Sequence, residues 1–368
     1  MTLDRQTVAV YEDRADVYAA RGTAPDAVRA GALVARAGPG PVIDLGCGTG
    51  SHLDLLGVDA VGVDPASAMM AHARSAQPEV PLVRAAAGAL PFRTGSVAGV
   101  WAHKCLQHLT AAHLPLALAD LHRVLPVGAP IAVTMFTGEG VWISNDDDDL
   151  PGRRFTLWSA GRLTELVEGA GFGDVDARVR SVPDAMGWGR LQLEAARKRT
   201  LADTVGPGMR LLVCGLNPSL HAADAGVGYA GPGNRFWPAL KASGLVAADI
   251  DRDPWRLLSE ERIGMTDLVK RASTRAAEVT SAEYQHGLER LDRLCALLAP
   301  KAVIMVGLAG WRAAVDRGAV PGWHRRRLGP SPVYVMPSTS GLNAAVRLDT
   351  LVEHLRMAAA PTSVAPAR

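Results

Sequence analysis

Cysteine is scarce in this sequence of 368 residues. The four cysteines, Cys47, Cys105, Cys214 and Cys295, lie far apart and form no Cys-x-x-Cys pair. This spacing fits neither a zinc site nor an iron–sulfur cluster, and a chain of this length does not depend on a disulfide framework. We therefore expect no metal, no iron–sulfur cluster and a reducing, cytoplasmic compartment.

Long apolar runs are also missing. No stretch approaches the roughly 18 uncharged apolar residues of a membrane-spanning helix, and the first five residues, MTLDR, contain no apolar signal region. We expect neither secretion nor membrane insertion. Hydrophobic residues make up 48% of the chain, which is typical of folded globular proteins, and the length favours two domains.

Net charge is small, at +2, but it is distributed unevenly. Residues 1–204 carry 19 basic and 23 acidic side chains, whereas residues 205–368 carry 20 and 14. A basic C-terminal half favours contact with phosphate, although arginines on solvated helix faces would give the same count. The acidic run 146–149 is interpreted as a solvated loop, because four adjacent aspartates cannot converge on one metal ion.

Apolar runs alternate with helical patterns along the whole chain, which predicts two α/β domains. The first is predicted over residues 1–197 and the second over residues 203–358, with a joint near residues 196–207. The main strands are predicted at 41–45, 60–64, 82–84, 99–103, 130–136, 174–180, 189–195, 210–215, 302–306 and 333–336.

A glycine-rich loop follows the first predicted strand. Its glycines, Gly46, Gly48 and Gly50, permit a sharp turn and a close approach of the backbone to a ligand. Asp64 ends the next strand, about 20 residues after Asp44, where a carboxylate can accept hydrogen bonds from ribose hydroxyls. A plain tight turn is the alternative, but the complete arrangement favours a nucleotide-like ligand.

These residues resemble the class I S-adenosylmethionine-dependent methyltransferases. The resemblance rests on the motifs at 44–50, 63–65, 89–92 and 121–125 and implies a Rossmann-like sheet. It also implies that S-adenosylmethionine is the cofactor and that a small molecule is the methyl acceptor, whose identity the sequence does not reveal. The cofactor residues that it implies are Asp44, Gly46, Cys47, Gly48, Gly50 and Asp64.

This first half departs from the family pattern in two places. The family usually has an acidic residue beside the adenine, where this chain has Ala-Ala-Ala-Gly at 85–88, and a Phe-Asp pair where it has Val97 and Ala98. Both departures weaken the expected affinity for the cofactor. His103 and His108 flank the expected transfer site, but packing or capping roles are more usual for such histidines, so we assign neither a catalytic role.

The second half contains three motifs: LVCGLNPS at 212–219, YAGPGNRFW at 229–237 and MPSTSGLN at 336–343. Each one alone is typical of a strand or helix end followed by a turn. Together and in this order, they resemble the mismatch-specific uracil/thymine-DNA glycosylases of the uracil-DNA glycosylase superfamily. The resemblance covers nearly all of residues 203–358, includes the stretch GMTDLV at 264–269, and implies an α/β/α sandwich.

That resemblance implies a role for each motif on double-stranded DNA with G·U or G·T mispairs. Asn217 would position the hydrolytic water, and Tyr229 would stack on a base flipped out of the duplex. Leu216 and Ser219 would read the base edge. Leu342 would enter the vacated stack; its loop neighbours and two arginines complete the expected DNA-binding set of Ser340, Gly341, Leu342, Asn343, Arg325 and Arg326, of which the arginines fit a solvated surface equally well.

The second half also departs from its most efficient relatives. The uracil-specific members use a catalytic aspartate in the first motif and a histidine in the last, where this chain has Asn217 and Met336. An amide is not a strong base, so catalysis would depend more on departure of the base as an anion. The sequence therefore predicts a slower enzyme with a wider range of substrates, such as uracil, thymine or damaged cytosine opposite guanine.

Three hypotheses follow for the whole chain. The first is a fusion of a methyltransferase-like domain with a mispair-specific DNA glycosylase. The second is a small-molecule methyltransferase that carries a weak glycosylase-like module. The third gives the first domain no catalytic role and makes it a cofactor sensor or a docking platform for the repair domain.

Overall fold

The computed structural model describes residues 4–22, 24–180 and 188–360. The chain divides into two compact units, Met1–Lys198 and Arg199–Arg368, and each is described by itself. Within the described residues, no helix combines the length and the apolar character that crossing a bilayer requires. The predicted domain bounds, 1–197 and 203–358, stay predictions.

The N-terminal unit contains a seven-stranded sheet with the order β3-β2-β1-β4-β5-β9-β8. Its first five strands in this order pair in parallel, whereas β9 is antiparallel to both of its neighbours, β5 and β8. β6 and β7 form a separate hairpin. The strands are β1 (Val42–Leu45), β2 (Val61–Asp64), β3 (Leu82–Arg84), β4 (Gly99–His103), β5 (Pro130–Phe136), β6 (Gly140–Ile143), β7 (Arg154–Leu157), β8 (Phe172–Arg180) and β9 (Arg190–Arg197).

In the described part of this unit, six α-helices accompany the sheet, and side-chain caps begin three of them. Asp4, Asp26 and Ser159 each accept a hydrogen bond from a backbone N–H of the first turn. All four residues of β1 are buried, as expected for a parallel strand covered on both faces. The helices are α1 (Arg5–Asp13), α2 (Ala15–Arg21), α3 (Ala27–Arg36), α4 (Ser67–Ala76), α5 (Leu114–Val124) and α6 (Ala160–Gly169).

The C-terminal unit contains a five-stranded sheet with the order β11-β10-β12-β14-β13, in which only the edge strand β13 is antiparallel among the described pairings. Its strands are β10 (Leu211–Gly215), β11 (Ile263–Asp267), β12 (Val303–Val306), β13 (Gly322–Leu328) and β14 (Ser331–Met336). Its helices are α7 (Leu220–Ala225), α8 (Phe236–Ala242), α9 (Pro254–Glu261), α10 (Ser281–Leu298), α11 (Leu308–Ala314) and α12 (Leu348–Ala359).

Helices cover both faces of this second sheet. One core cluster joins alternate strand residues such as Val213 and Ile304 to Phe236, Trp237 and Leu355 of helices α8 and α12. Intervening residues such as Leu212 are equally buried, and side chains alternate across a strand, so they face the opposite layer. The predicted fold class, two α/β domains with a Rossmann-like sheet and an α/β/α sandwich, is confirmed.

The sequence pattern missed several elements. The predicted strands are present within one to two residues, but β11, β13 and the β6–β7 hairpin were not predicted. β13 has the sequence GWHRRRL, whose consecutive charges hide the alternation of a strand, because an edge strand need bury only part of its length. Helices α1 to α3 were missed as well.

A buried ion cluster joins three elements of the C-terminal unit. Asp203 accepts hydrogen bonds from Arg290, from Lys270 at 2.8 Å and from Thr266 at 2.6 Å. Burial would raise the pKa of Asp203, but the adjacent cations Arg290 and Lys270 hold it below its ordinary value. The carboxylate therefore stays ionised in the interior, where loss of a partner is costly.

Arg290→Met is expected to destabilise the C-terminal unit by about 3–5 kcal/mol, because it leaves Asp203 buried without its guanidinium partner. Urea unfolding of the full chain checks this, with amide hydrogen exchange assigning the transition to residues 199–360. Arg256→Met is the matched control, since Arg256 pairs with Asp249 and Glu260 on the exposed surface and its loss should leave the transition unchanged. Equal, small shifts in the two variants would contradict this account.

Candidate functional site

A cleft in the C-terminal unit lies at the carboxyl ends of β10, β11, β12 and β14. Parallel strands end at the same edge of a sheet, and the loops that follow them commonly form the ligand site. Four segments far apart in sequence meet there. The residues that line the cleft include Gly215, Leu216, Asn217, Pro218, Ser219, Tyr229, Asn234, Asp267, Ser338, Thr339, Ser340 and Gly341.

Asn217 lies in this cleft with a fixed amide orientation. Its Nδ2 donates hydrogen bonds to Ser273 Oγ at 2.8 Å and to the backbone carbonyl of Arg271 at 3.2 Å. A carbonyl can only accept, so the NH₂ end must face the loop at 271–273. The Oδ1 atom is thereby left as the acceptor for a water molecule or for a substrate.

The predicted base readers Leu216 and Ser219 also line the cleft. The Ser219 hydroxyl caps α7 by accepting a hydrogen bond from the N–H of Ala222 at 3.1 Å. The carbonyl of Leu216 accepts a hydrogen bond from the N–H of Val269. Both residues therefore line the cleft, and the Ser219 hydroxyl and the Leu216 carbonyl already make hydrogen bonds that stabilise its walls.

Tyr229 forms a wall of the cleft. Its backbone has a φ of 59°, an unusual value for a residue other than glycine. The ring stacks on Phe236 with centroids 4.2 Å apart, and its hydroxyl is buried without a hydrogen-bond partner among the described residues. Burial raises the pKa of this hydroxyl most, and the negative charge of nearby Asp267 raises it further, so the hydroxyl stays protonated.

Asp267 is the residue that the sequence analysis missed. It ends β11 directly beside Gly215 of β10, and a Cβ atom at Gly215 would lie 2.4 Å from Asp267 Oδ1 and 3.1 Å from the Tyr229 hydroxyl oxygen. Burial raises the pKa of Asp267 to about 6. The side chain of Arg290 donates to the backbone carbonyl of Asp267 at 2.8 Å, and Asp267 lines the cleft.

The signal for Asp267 was present but indirect. The stretch Gly-Met-Thr-Asp-Leu-Val at 264–269 contributed to the resemblance as a whole, without a role for its carboxylate. Only the register of two parallel strands, which the sequence does not state, places Asp267 next to the Gly-Leu-Asn-Pro motif.

The loop at 338–346 forms the rim of the cleft. Ser340 and Gly341 line the cleft, and Leu342 is 97% exposed at the tip of the loop. Such exposure is unusual for a large apolar side chain and is typical of a binding surface. The side chain of Asn343 donates to the carbonyl of Ser338 at 3.0 Å, so its amide nitrogen stabilises the loop.

Two predicted DNA contacts lie elsewhere. Arg325 and Arg326 are exposed on β13, level with the start of β14, whereas the cleft lies at the end of β14. The structure therefore does not bring them to the cleft. Met336, which stands where efficient relatives carry a histidine, is fully buried and offers no polar group.

A second pocket lies in the N-terminal unit, at the carboxyl ends of its parallel strands. Of the predicted cofactor residues, Gly46, Gly48 and Asp64 line it. Gly46 has a φ of 69°, and a Cβ atom there would lie 2.3 Å from Cys105 Cβ, so only glycine fits.

The other predicted cofactor residues lie behind this pocket. Cys47 is buried against Leu53 and Ala73, and Gly50 approaches the same two residues. Burial raises the pKa of the Cys47 thiol well above its ordinary value, so it stays a neutral core group. These two residues shape the loop without lining the pocket.

Two buried carboxyl groups neighbour each other here: Asp64 lines the pocket, whereas Asp44 lies behind it. Asp44 is 2% exposed, and its Oδ2 has no hydrogen-bond partner in the described part of the chain. Burial and the neighbouring Asp64 raise the pKa of Asp44 to about 8. Burial likewise raises the pKa of Asp64 to about 6, although its carboxylate accepts hydrogen bonds from the N–H groups of Ala66 and Gly48.

Among the residues that the structure describes, no cation contributes to the electrostatics of either carboxyl group. A ligand with a positive charge fits such a site, and S-adenosylmethionine carries both a sulfonium and an ammonium group. The glycine loop and the carboxyl pair thus suit that cofactor, which would supply an electrophilic methyl group.

Aromatic side chains complete the pocket. The Tyr11 hydroxyl is 3.0 Å from His108 Nε2, and Arg153 donates a hydrogen bond to the same hydroxyl. Burial lowers the pKa of His108 to about 4 and that of His103 to about 3, so both are neutral imidazoles. His108 packs against Tyr11, and its Nδ1 donates to the carbonyl of Arg154 at 2.6 Å.

The acidic run at 146–149 is attached to the fold through Asp148. Asp148 pairs with Arg21 and Arg153 at 3.0 and 2.8 Å, so this part of the expected solvated loop is tied to the fold. Across the described ranges, no group of three His, Cys, Asp or Glu side chains could hold a metal ion.

Two family models match the chain, and both describe domains that are typical of enzymes. Residues 202–356 match the uracil DNA glycosylase superfamily. Residues 42–128 match a methyltransferase domain. The chain thus contains a methyltransferase domain followed by a domain of the uracil DNA glycosylase superfamily, as the two resemblances predicted.

Solved structures similar to the chain include three methyltransferases. One from Methanosarcina mazei is 17% identical, with 43% of this chain and 92% of that chain covered and a TM-score of 0.39. A possible histamine N-methyltransferase from Thermotoga maritima is 16% identical, with coverages of 52% and 100% and a TM-score of 0.40. The 1,6-didemethyltoxoflavin-N1-methyltransferase of Burkholderia thailandensis, with bound S-adenosylhomocysteine, is 22% identical, with coverages of 52% and 85% and a TM-score of 0.40.

Proposed function

We propose that the C-terminal unit is a DNA glycosylase that hydrolyses the N-glycosidic bond of uracil mispaired with guanine, and of related bases such as thymine or damaged cytosine. The observation that carries this proposal is the fixed amide of Asn217, whose Oδ1 remains available in a cleft shared with the Asp267 carboxylate. The family match over residues 202–356 supports it.

Asn217 and Asp267 have different roles in the proposed reaction. Asn217 Oδ1 orients a water molecule, and ionised Asp267 accepts a proton from it as the water oxygen bonds to the anomeric carbon. The glycosidic bond breaks with its electron pair on the base, which leaves as an anion and takes a proton from solvent. The negative charge of Asp267 also stabilises the positive charge that develops on the sugar.

Tyr229 and Leu342 would act before the chemical step. A base in a duplex is out of reach, so the nucleotide must first be flipped out, at a cost that is least in a mispair. The Tyr229 ring offers a stacking surface for the flipped base, and exposed Leu342 can occupy the vacated position in the stack.

For the N-terminal unit, we propose binding of S-adenosylmethionine in the pocket formed by Gly46, Gly48 and Asp64. The uncompensated carboxyl pair of Asp44 and Asp64 supports this proposal, because it favours a cationic ligand. Methyl transfer to a small molecule and a role as a cofactor sensor both need this binding step.

Asn217→Ala should lower base release from a G·U duplex by about a hundredfold or more, since the water loses its acceptor. DNA affinity, measured by fluorescence anisotropy, should change little. Ser273→Ala is the graded companion, because it removes one of the bonds that orient the Asn217 amide, and it should cause a smaller loss. Unchanged excision by Asn217→Ala would refute the site assignment.

Asp267 predicts a pH dependence. Because its pKa is about 6 and the ionised form is the active one, the single-turnover rate should rise up to about pH 6 and level off above it. The Asp267→Asn variant should react slowly, and its rate should not rise with pH in this range. Asp224→Asn, which changes an exposed acid paired with Arg199, should keep the wild-type profile. A rate in the wild type that is independent of pH between 5 and 8 would contradict the role of Asp267.

Binding of S-adenosylmethionine should strengthen from pH 5.5 to pH 8.5, because the raised pKa values of Asp44 and Asp64 require proton release before both carboxylates can pair with a cation. Titration calorimetry in buffers of different ionisation enthalpy measures the affinity and the released protons. Asp64→Asn should weaken binding about tenfold or more, whereas Asp54→Asn, at an exposed position, should not. Absence of binding heat in every buffer would argue against this cofactor.

A further inference from the structure

One arginine holds the rim loop of the glycosylase-like cleft. The Arg235 guanidinium donates to the carbonyls of Ser340 at 3.1 Å, of Asn343 at 2.7 Å and of Val346. These three acceptors span the exposed Leu342. In addition, the backbone N–H of Arg235 donates to the carbonyl of Thr339 at 2.9 Å.

Arg235 itself is held rigidly by the core. The next two residues, Phe236 and Trp237, are buried to 1% exposure or less at the start of α8. The Trp237 indole N–H donates to the carbonyl of Gly228 at 2.9 Å, next to Tyr229. The guanidinium therefore projects from a fixed base that also supports the proposed stacking wall.

The loop also has internal hydrogen bonds, from the N–H of Asn343 to the carbonyl of Ser340 at 3.0 Å and from the N–H of Val346 to the carbonyl of Asn343 at 3.3 Å. Asn343 bonds back to Ser338, and a Cβ atom at Gly341 would lie 3.0 Å from the carbonyl oxygen of Gly233. The backbone of Leu342 is bonded only loosely, through its N–H to Ser340 Oγ at 3.3 Å. Arg235 supplies three of the bonds that define the shape of the loop. Its planar guanidinium has several N–H donors and can therefore bind several carbonyls at once.

We propose that Arg235 is a positioning residue that pre-forms the loop at 338–346, so that Leu342 is presented to the duplex before DNA binds. This inference rests on the proposed glycosylase function. Because its two terminal nitrogens donate to three loop carbonyls and its Nε is buried, Arg235 acts through Leu342 rather than by binding a phosphate. Its contribution belongs to base flipping and not to hydrolysis of a base that is already accessible.

The test is a double-mutant cycle of Arg235→Met and Leu342→Ala, measured as single-turnover excision from a G·U duplex and from a single strand containing uracil. Arg235→Met should slow the duplex reaction about tenfold and spare the single strand. Once Leu342 is already alanine, Arg235→Met should cost little more. Arg235→Lys should recover only part of the loss, since an ammonium group cannot reach three carbonyls in one plane. Equal losses on both substrates, or fully additive losses in the cycle, would overturn the proposal.

A second readout does not depend on excision. Amide hydrogen exchange of the free protein should become about tenfold faster or more at residues 338–346 in Arg235→Met, with the melting temperature retained. Arg347→Met, which alters an exposed arginine at the end of the same loop, is the control and should leave exchange unchanged. Unaltered exchange in Arg235→Met would overturn the proposal, whereas faster exchange with no excision by the wild type would instead refute the glycosylase function.

Discussion

The parallel pairing of β10 with β11 is the constraint on which the C-terminal site depends. It sets Gly215 beside Asp267, and the missing side chain of Gly215 makes room for the Asp267 carboxylate and the Tyr229 hydroxyl. The same strand end carries the chain directly into Asn217. A shift of register by one residue would turn Asp267 to the other face of the sheet and separate the two groups.

The two units differ in whether their buried carboxyl groups have neighbouring cations. The C-terminal unit keeps Asp203 ionised in its interior by surrounding it with Arg290 and Lys270, while the adjacent Asp267 is left to face the cleft with a raised pKa. The N-terminal unit buries Asp44 and Asp64 with no such cation among their electrostatic causes. Carboxyl groups at strand ends whose pKa is raised by burial mark both proposed sites, because such raised pKa values would be costly in a purely structural position.

Much of the fold could be predicted from the sequence, because buried parallel strands such as β12 are short apolar runs bounded by turns, a pattern that β1 interrupts only at Asp44. The glycine loop and Asn217 could be located for the same reason: each follows such a run directly. Asp267 could not be assigned a role, since its proximity to Asn217 arises from strand register. Arg235 was visible in its motif, but its function lies in contacts to a loop about a hundred residues later in the chain. Arg325 and Arg326 lie on β13 away from the cleft, and their contact with DNA stays a prediction.

The central claim is that the C-terminal unit releases a base from DNA. Its most direct test is mass-spectrometric detection of the free base after the full-length protein is incubated with duplexes that differ only in one pair: G·U, G·T, A·U or G·C. The account predicts free uracil in the G·U reaction, less release from G·T and A·U, and none from G·C. DNA binding without release of a base from any duplex would contradict it.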